Sequence, residues 1–148
     1  MILVDFPTYD FKLQSIKGKD QIFDPCRKKW VFLSPEEWVR QNLLQYLIQV
    51  CKYPTELIAI EKTIQLGRLN KRFDLLVYQA EKPWMIIECK KANTSLSEKT
   101  ILQLLQYQQV LDAKYLIASN GHETIGAEIK LGKLQMLQHF PNYVKPAL

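Results

Sequence analysis

The sequence predicts a mixed α/β domain, with a central β-sheet flanked by helices and an N-terminal β-hairpin in front of it. Three observations predict this class. Two stretches carry apolar residues at helical spacing, and between them lie successive segments with strand character. Residues 72–78 and 84–90 are apolar on both faces, which suits central strands covered on both sides. Short alternating segments separated by glycine occur at both ends of the chain.

Phe11-Lys12-Leu13-Gln14-Ser15-Ile16 alternates apolar and polar residues, Lys17-Gly18-Lys19 turns, and Gln21-Ile22-Phe23-Asp24 returns, which reads as the hairpin. The basic run Arg27-Lys28-Lys29-Trp30 reads as a connector. Ser34-Pro35-Glu36-Glu37 starts a helix: serine caps, proline suits the first helical position, and Glu37 stands where a capping-box carboxylate reaches back. Trp38, Leu43, Leu44, Leu47, Ile48 and Cys51 continue at helical spacing to an end near Tyr53-Pro54. Strands follow from Leu57, with turns at Gly67-Arg68-Leu69-Asn70 and Glu81-Lys82-Pro83. Residues 97–111 form a second helix, residues 114–119 a strand stopped by Asn120-Gly121, and residues 125–136 a closing hairpin. Trp30, Trp38 and Trp84 are expected in the core.

The 148 residues, 47% hydrophobic and 24% charged, suffice for one core, and residues 1–148 are expected to form one domain. Only 5 Gly and 7 Pro exclude collagen-like and low-complexity classes. No apolar run approaches the roughly 20 residues that cross a bilayer. The start Met1-Ile2-Leu3-Val4-Asp5 lacks a basic leader, so a cytoplasmic protein without a membrane partner is expected. Twenty Lys and Arg against 15 Asp and Glu leave a net charge of +5, which permits a polyanionic partner without requiring one. The 3 cysteines form no C-x-x-C pair, and His122 and His139 have no partner at ligand spacing, so neither a disulfide framework nor a cysteine zinc site is expected.

Several charged residues stand where apolar ones belong. Asp74 lies among Phe73, Leu75, Leu76 and Val77, while Glu88 and Lys90 end the strand begun by Trp84-Met85-Ile86-Ile87. A buried carboxylate needs a partner or a metal. Alternation points Glu88 and Lys90 to one face and Cys89 to the other, which makes the Cys89 side chain a core residue. One arrangement that satisfies these charges is a salt bridge from Asp74 or Glu88 to Lys90 or Arg72. The other is a divalent cation such as Mg²⁺ held by Asp74, Glu88 and the main-chain carbonyl of Cys89, with Lys90 orienting water or stabilising charge on phosphorus.

Arg72-Phe73-Asp74 followed by Ile86-Ile87-Glu88-Cys89-Lys90 resembles the PD-(D/E)XK nuclease signature, with Glu37 at the place of its first-helix acid and Glu36 as the alternative. Phe73 stands where the signature has proline. Gln103-Leu104-Leu105-Gln106-Tyr107 is similar to the Q-x-x-x-Y element of the RecB-like branch. The run from Ser34 to Gln41, with Ser119-Asn120-Gly121, resembles the N-terminal nuclease domain of type I restriction enzyme R subunits. The resemblance implies a restriction endonuclease-like fold and Mg²⁺- or Mn²⁺-dependent hydrolysis of DNA. It implies Glu37, Asp74, Glu88 and Lys90 as catalytic residues, and Gln103 and Tyr107 near the metal or the DNA backbone. Arg68, Lys71, Arg72 and Lys91 surround the site in sequence, as phosphate contacts do, although charged residues also simply face solvent. No G-x-x-x-x-G-K-[ST] occurs, so no ATP-driven motor is expected in this chain. The competing function is a non-catalytic DNA-binding or protein-interaction module of the same fold. Cutting two strands would call for a homodimer or a partner subunit.

Overall fold

A computed structural model describes residues 1–146, so the last two residues of the expected domain lie outside it. The N-terminal unit is a three-stranded antiparallel sheet, β1 (Leu13–Ile16), β2 (Lys19–Asp24) and β3 (Lys29–Phe32). Its first two strands are the expected hairpin. Ile16 pairs with Lys19, and the intervening Lys17 and Gly18 have φ of 53° and 77°, both positive as a type I′ turn requires. The third strand corrects the reading of residues 27–30 as a connector, because Trp30 and Val31 pair with Phe23 and Ile22. One basic run spans both turn and strand there: Lys28 turns the chain at φ 56° and Lys29 begins β3.

Helix α1 (Pro35–Gln49) starts as its sequence dictates, with Ser34 Oγ accepting the Glu37 N–H at 3.0 Å. It ends at Gln49, before the expected stop, and Pro54 leads into a short 3₁₀ turn, Thr55–Leu57. Six strands then form the main sheet in the order β4 (Ile58–Leu66), β5 (Leu69–Gln79), β6 (Lys82–Cys89), β7 (Tyr115–Ser119), β8 (Thr124–Lys130) and β9 (Lys133–Met136). Neighbours are antiparallel except β6 and β7, whose parallel pairing uses helix α2 (Glu98–Leu111) as the crossover. The closing hairpin is β8 and β9. Among the described residues no helix is long and apolar enough to cross a membrane.

The doubly apolar strands β5 and β6 are central, and a separate core covers each face. Leu43, Leu44 and Leu47 of α1 pack on Leu75, Val77, Met85 and Ile87. Ile101 and Leu104 of α2 pack on Phe73, Leu76, Ile86 and Leu116. The placement of Phe73 breaks strict alternation, since residues two apart in a strand share a face yet Phe73 faces α2 and Leu75 faces α1. β4 makes the same switch, with Ile58 and Ile60 toward α1 and Ile64 toward α2. Both switches fall at one gap in the ladder. Ile60 pairs with Leu75 and Lys62 with Phe73, while the intervening Glu61 and Asp74 are unpaired and Glu61 adopts φ 51°. A local irregularity of this kind turns a strand and re-aims a side chain, and here that side chain is Asp74.

Two tryptophans depart from the expected core. Trp38 is 44% exposed beside Phe11, on the outward side of α1, and Trp30 is 38% exposed on the N-terminal sheet. Trp84 is half-buried against Tyr53 and Tyr115.

Candidate active site

The pairing of β5 with β6 runs out at Leu75 and Ile87. Beyond it Asp74 takes over: its Oδ2 accepts the Cys89 N–H at 2.8 Å, and its Oδ1 accepts from Arg40 Nη2 at 2.8 Å. The strand irregularity thus lets one carboxylate reach the main chain of β6 and a guanidinium on α1 together. Burial works to raise the Asp74 pKa, but the bonds from Arg40 and Cys89 overcome it and hold the carboxyl below its ordinary range.

Glu88 behaves in the opposite way. Burial, then the negative charge of Asp74 and a hydrogen bond shared with it, raise its pKa from 4.5 to about 7, against a smaller opposing effect of Lys71. The Lys71 ammonium lies 3.3 Å from Glu88 Oε1, yet that buried oxygen has no hydrogen-bond partner. Two neighbouring carboxyls are therefore driven apart, one firmly ionised and one poised near neutrality. The Cys89 thiol, expected in the core, is buried, and its pKa is pushed well above the ordinary value by that burial and by Asp74.

Glu88 opens onto a cavity of about 270 Å³ between the end of β6 and α2, lined also by Lys71, Lys90, Gln103, Leu104 and Tyr107. Lys90 reaches it from just past β6, where its N–H donates to Ser119 O at 2.8 Å and prolongs the β6–β7 register. Gln103 and Tyr107 present one face of α2 to the cavity. The Tyr107 ring also packs edge-on against Phe73 at 5.7 Å, with the Lys71 ammonium 5.4 Å from its centroid. Of the other basic candidates, Arg68 lies exposed in the β4–β5 turn, Arg72 exposed on β5 and Lys91 exposed after β6, and none lines this cavity.

Glu37 is buried and Glu36 is exposed, so Glu37 is the inward-facing acid of α1. Its carboxylate does not reach back to cap the helix. Arg40 stands between it and Asp74, with Nη1 on Glu37 at 2.7 Å and Nη2 on Asp74 at 2.8 Å. The guanidinium supplies the positive charge between those two acids, and Glu37 communicates with the carboxylate pair through it.

The sequence reading missed the rest of this network. Arg27 binds Asp24 at 2.6 Å, Glu37 at 3.1 Å and Glu61 at 3.1 Å, and Glu61 also approaches Arg40 at 3.3 Å. Gln41 donates to Asp24 at 3.0 Å. Arg27 thereby ties the N-terminal sheet to the site. A signal was present in Glu61, a charged residue between Ile60 and Ile64 in an apolar strand, although nothing local identified its partners.

A family model described as the type I restriction enzyme R protein N terminus (HSDR_N) matches residues 35–141, and the chain belongs to that family. A fragment assigned to an HsdR subunit of a type I restriction enzyme from Vibrio vulnificus YJ016 is similar at 27% identity and a TM-score of 0.47. That match covers 57% of this chain and 19% of the fragment. No curated protein matches the chain. The family match starts at the first residue of α1, so β1 to β3 precede it.

The opposed carboxyls give a pH-dependent stability. A carboxyl whose pKa is raised on folding stabilises the fold below its unfolded pKa, and that stability is lost as pH rises through the folded value. With EDTA present, the unfolding free energy is expected to fall between pH 4.5 and 7, the window set by Glu88. Asp74, held low, is ionised in both states there and adds stability lost only at more acid pH. Urea denaturation at stepped pH, beside Glu88→Gln, checks this, and identical slopes for the two proteins would contradict it.

Proposed function

We propose that the protein is a nuclease that hydrolyses DNA phosphodiesters with Mg²⁺ or Mn²⁺. The observation that carries the reading is Glu88 opening, with Lys90, onto a cavity flanked by Gln103 and Tyr107, while Asp74, outside the lining of that cavity, shares a hydrogen bond with Glu88. Family membership supports a restriction-related nuclease domain.

The donor set suits one hard cation. Glu88 Oε1 is buried without a hydrogen-bond partner, and the Asp74 oxygens, which accept from Arg40 and the Cys89 N–H, gain a free lone pair when the hydrogen bond shared with Glu88 is given up. A divalent cation beside them would relieve the repulsion that raises Glu88. Among the described residues no group of three or more His, Cys, Asp or Glu is arranged for a metal. Mg²⁺ is commonly held by one or two carboxylates, with water and substrate phosphate completing its shell. Asp74 and Glu88 would hold the ion, with the Cys89 carbonyl as the third protein oxygen. When bound, it would polarise the phosphate and favour ionisation of a water. The chain's own residues do the remainder. Arg40 and the Cys89 N–H keep Asp74 ionised and aimed, Lys90 orients the water or stabilises charge developing on phosphorus, and Gln103 and Tyr107 border the phosphate path. The water oxygen bonds to phosphorus as the bond to the leaving oxygen breaks. Cutting both strands would take a second copy or a partner subunit.

The test incubates purified protein with linear and circular DNA in Mg²⁺, Mn²⁺ or EDTA. Hydrolysis with either metal and none in EDTA is the expected result. DNA binding without hydrolysis under every condition would make the protein a binding module instead. Calorimetric titration with Mn²⁺ adds a reading independent of turnover: Asp74→Asn is expected to weaken binding at least tenfold, and an unaltered isotherm would remove Asp74 as a ligand.

A further inference from the structure

The N-terminal sheet, which precedes the family-matched region, carries exposed aromatic rings on its outward face. Register places Phe23 beside Trp30, Gln21 beside Phe32 and Gln14, and Ile16 beside Lys19. These residues share one face, as the 2.6 Å bond between the Gln14 and Gln21 side chains shows. Ile22 and Asp24 alternate to the opposite face and are buried. Outward, Phe32 is 62% and Trp30 38% exposed. Trp30 meets Phe23 edge-on at 5.4 Å, and the Lys12 ammonium lies 5.6 Å from the Phe23 centroid.

Charge selects the occupant. Lys12 and Lys19 lie on the outward face with the rings and Lys17 and Lys28 in the adjoining turns, while Lys29 pairs with Asp24 on the inner side, where Asp24 is spent on Arg27 and Gln41. Register assigns neither Asp20 nor Asp24 to the outward face, since both alternate with Ile22 on the inner side. Exposed rings among lysines, with no carboxylate between them, suit unpaired bases stacked on the rings and phosphates held by the ammonium groups. A duplex keeps its bases stacked on one another and offers the rings nothing. We infer that the outward face of β1 to β3 binds single-stranded nucleic acid, through stacking on Trp30 and Phe32 and phosphate contacts from Lys12 and Lys19. This inference is independent of the nuclease reading, because it concerns other residues and needs no metal.

Fluorescence anisotropy of labelled dT20, in EDTA so that cleavage plays no part, tests it against a 20-base-pair duplex. The protein is expected to bind dT20, and Trp30→Ala with Phe32→Ala to weaken binding at least tenfold, since each stacked base contributes about fivefold or more. Trp30→Phe keeps a ring and is expected to retain most of the affinity. Lys12→Ala with Lys19→Ala is expected to reduce the slope of log affinity against log salt by about 1.4, at roughly 0.7 per phosphate contact on a single strand. Circular dichroism melts check that each variant is folded. No dT20 binding by the natural sequence would overturn the inference, as would equal affinity in the folded ring variants. So would self-association that the ring variants abolish while dT20 binding persists, which would make the face a protein interface.

Discussion

Replacing Lys90 with alanine is expected to lower DNA hydrolysis by about 10²–10³-fold, the loss that follows removal of one donor aimed at developing charge. The expectation rests on where the residue sits. Its main chain is fixed by the bond to Ser119, and its side chain enters the cavity that Glu88 borders. Lys71 shares that cavity in a different setting, 3.3 Å from Glu88 and within 5.5 Å of the Phe73 and Tyr107 ring centroids. Its charge already balances Glu88, so it is the weaker candidate for the transition state. Lys90 is half-buried and follows the end of a strand, so truncation should change the melting temperature little. Initial rates on linear DNA in Mg²⁺, beside the melting curve, separate the two effects. Hydrolysis within a fewfold of the natural protein would remove Lys90 from the chemistry.

Much of the candidate site was legible because charge on an apolar strand is costly and therefore conspicuous. Asp74, Glu88 and Lys90 announced themselves by their neighbours, and the structure brings Asp74 to Glu88 and Glu88 to Lys90. The start of α1 was legible for a local reason, since its cap lies within four consecutive residues. What was not legible depends on distance along the chain. Arg27 meets Glu61 across 34 residues, as Arg40 meets Asp74, and no periodicity in either segment points at the other. β3 was hidden because a basic run has neither alternation nor length, and the strand exists through its pairing with β2. The change of face at Asp74 violates the very rule by which strands are read. It comes from a gap in the ladder opposite Glu61, which no window of one strand contains.

Arg40→Met is expected to cost the fold about 3–5 kcal/mol, the range found when one member of a buried ion pair is removed. Methionine fills similar volume, so the loss reports charge rather than a cavity. The Arg40 side chain is only 7% exposed, and it stands between Glu37 and Asp74, both of which would remain with less positive charge nearby. A surface ion pair would be worth under about 1 kcal/mol, so the two cases separate clearly in urea denaturation. An unchanged midpoint would show that water reaches the carboxylates freely. The double variant Arg40→Met, Glu37→Gln should regain part of the loss by removing one stranded charge, and the mutant cycle then gives the coupling itself. Asp74 supplies the link from stability to function. Arg40 holds its carboxyl low, so without Arg40 the Asp74 pKa rises toward that of Glu88 and the two compete for one proton. Mn²⁺ affinity in the folded Arg40 variant should therefore fall most below neutral pH and recover as the pair ionises. A structural arginine that merely props up α1 would shift affinity equally at every pH.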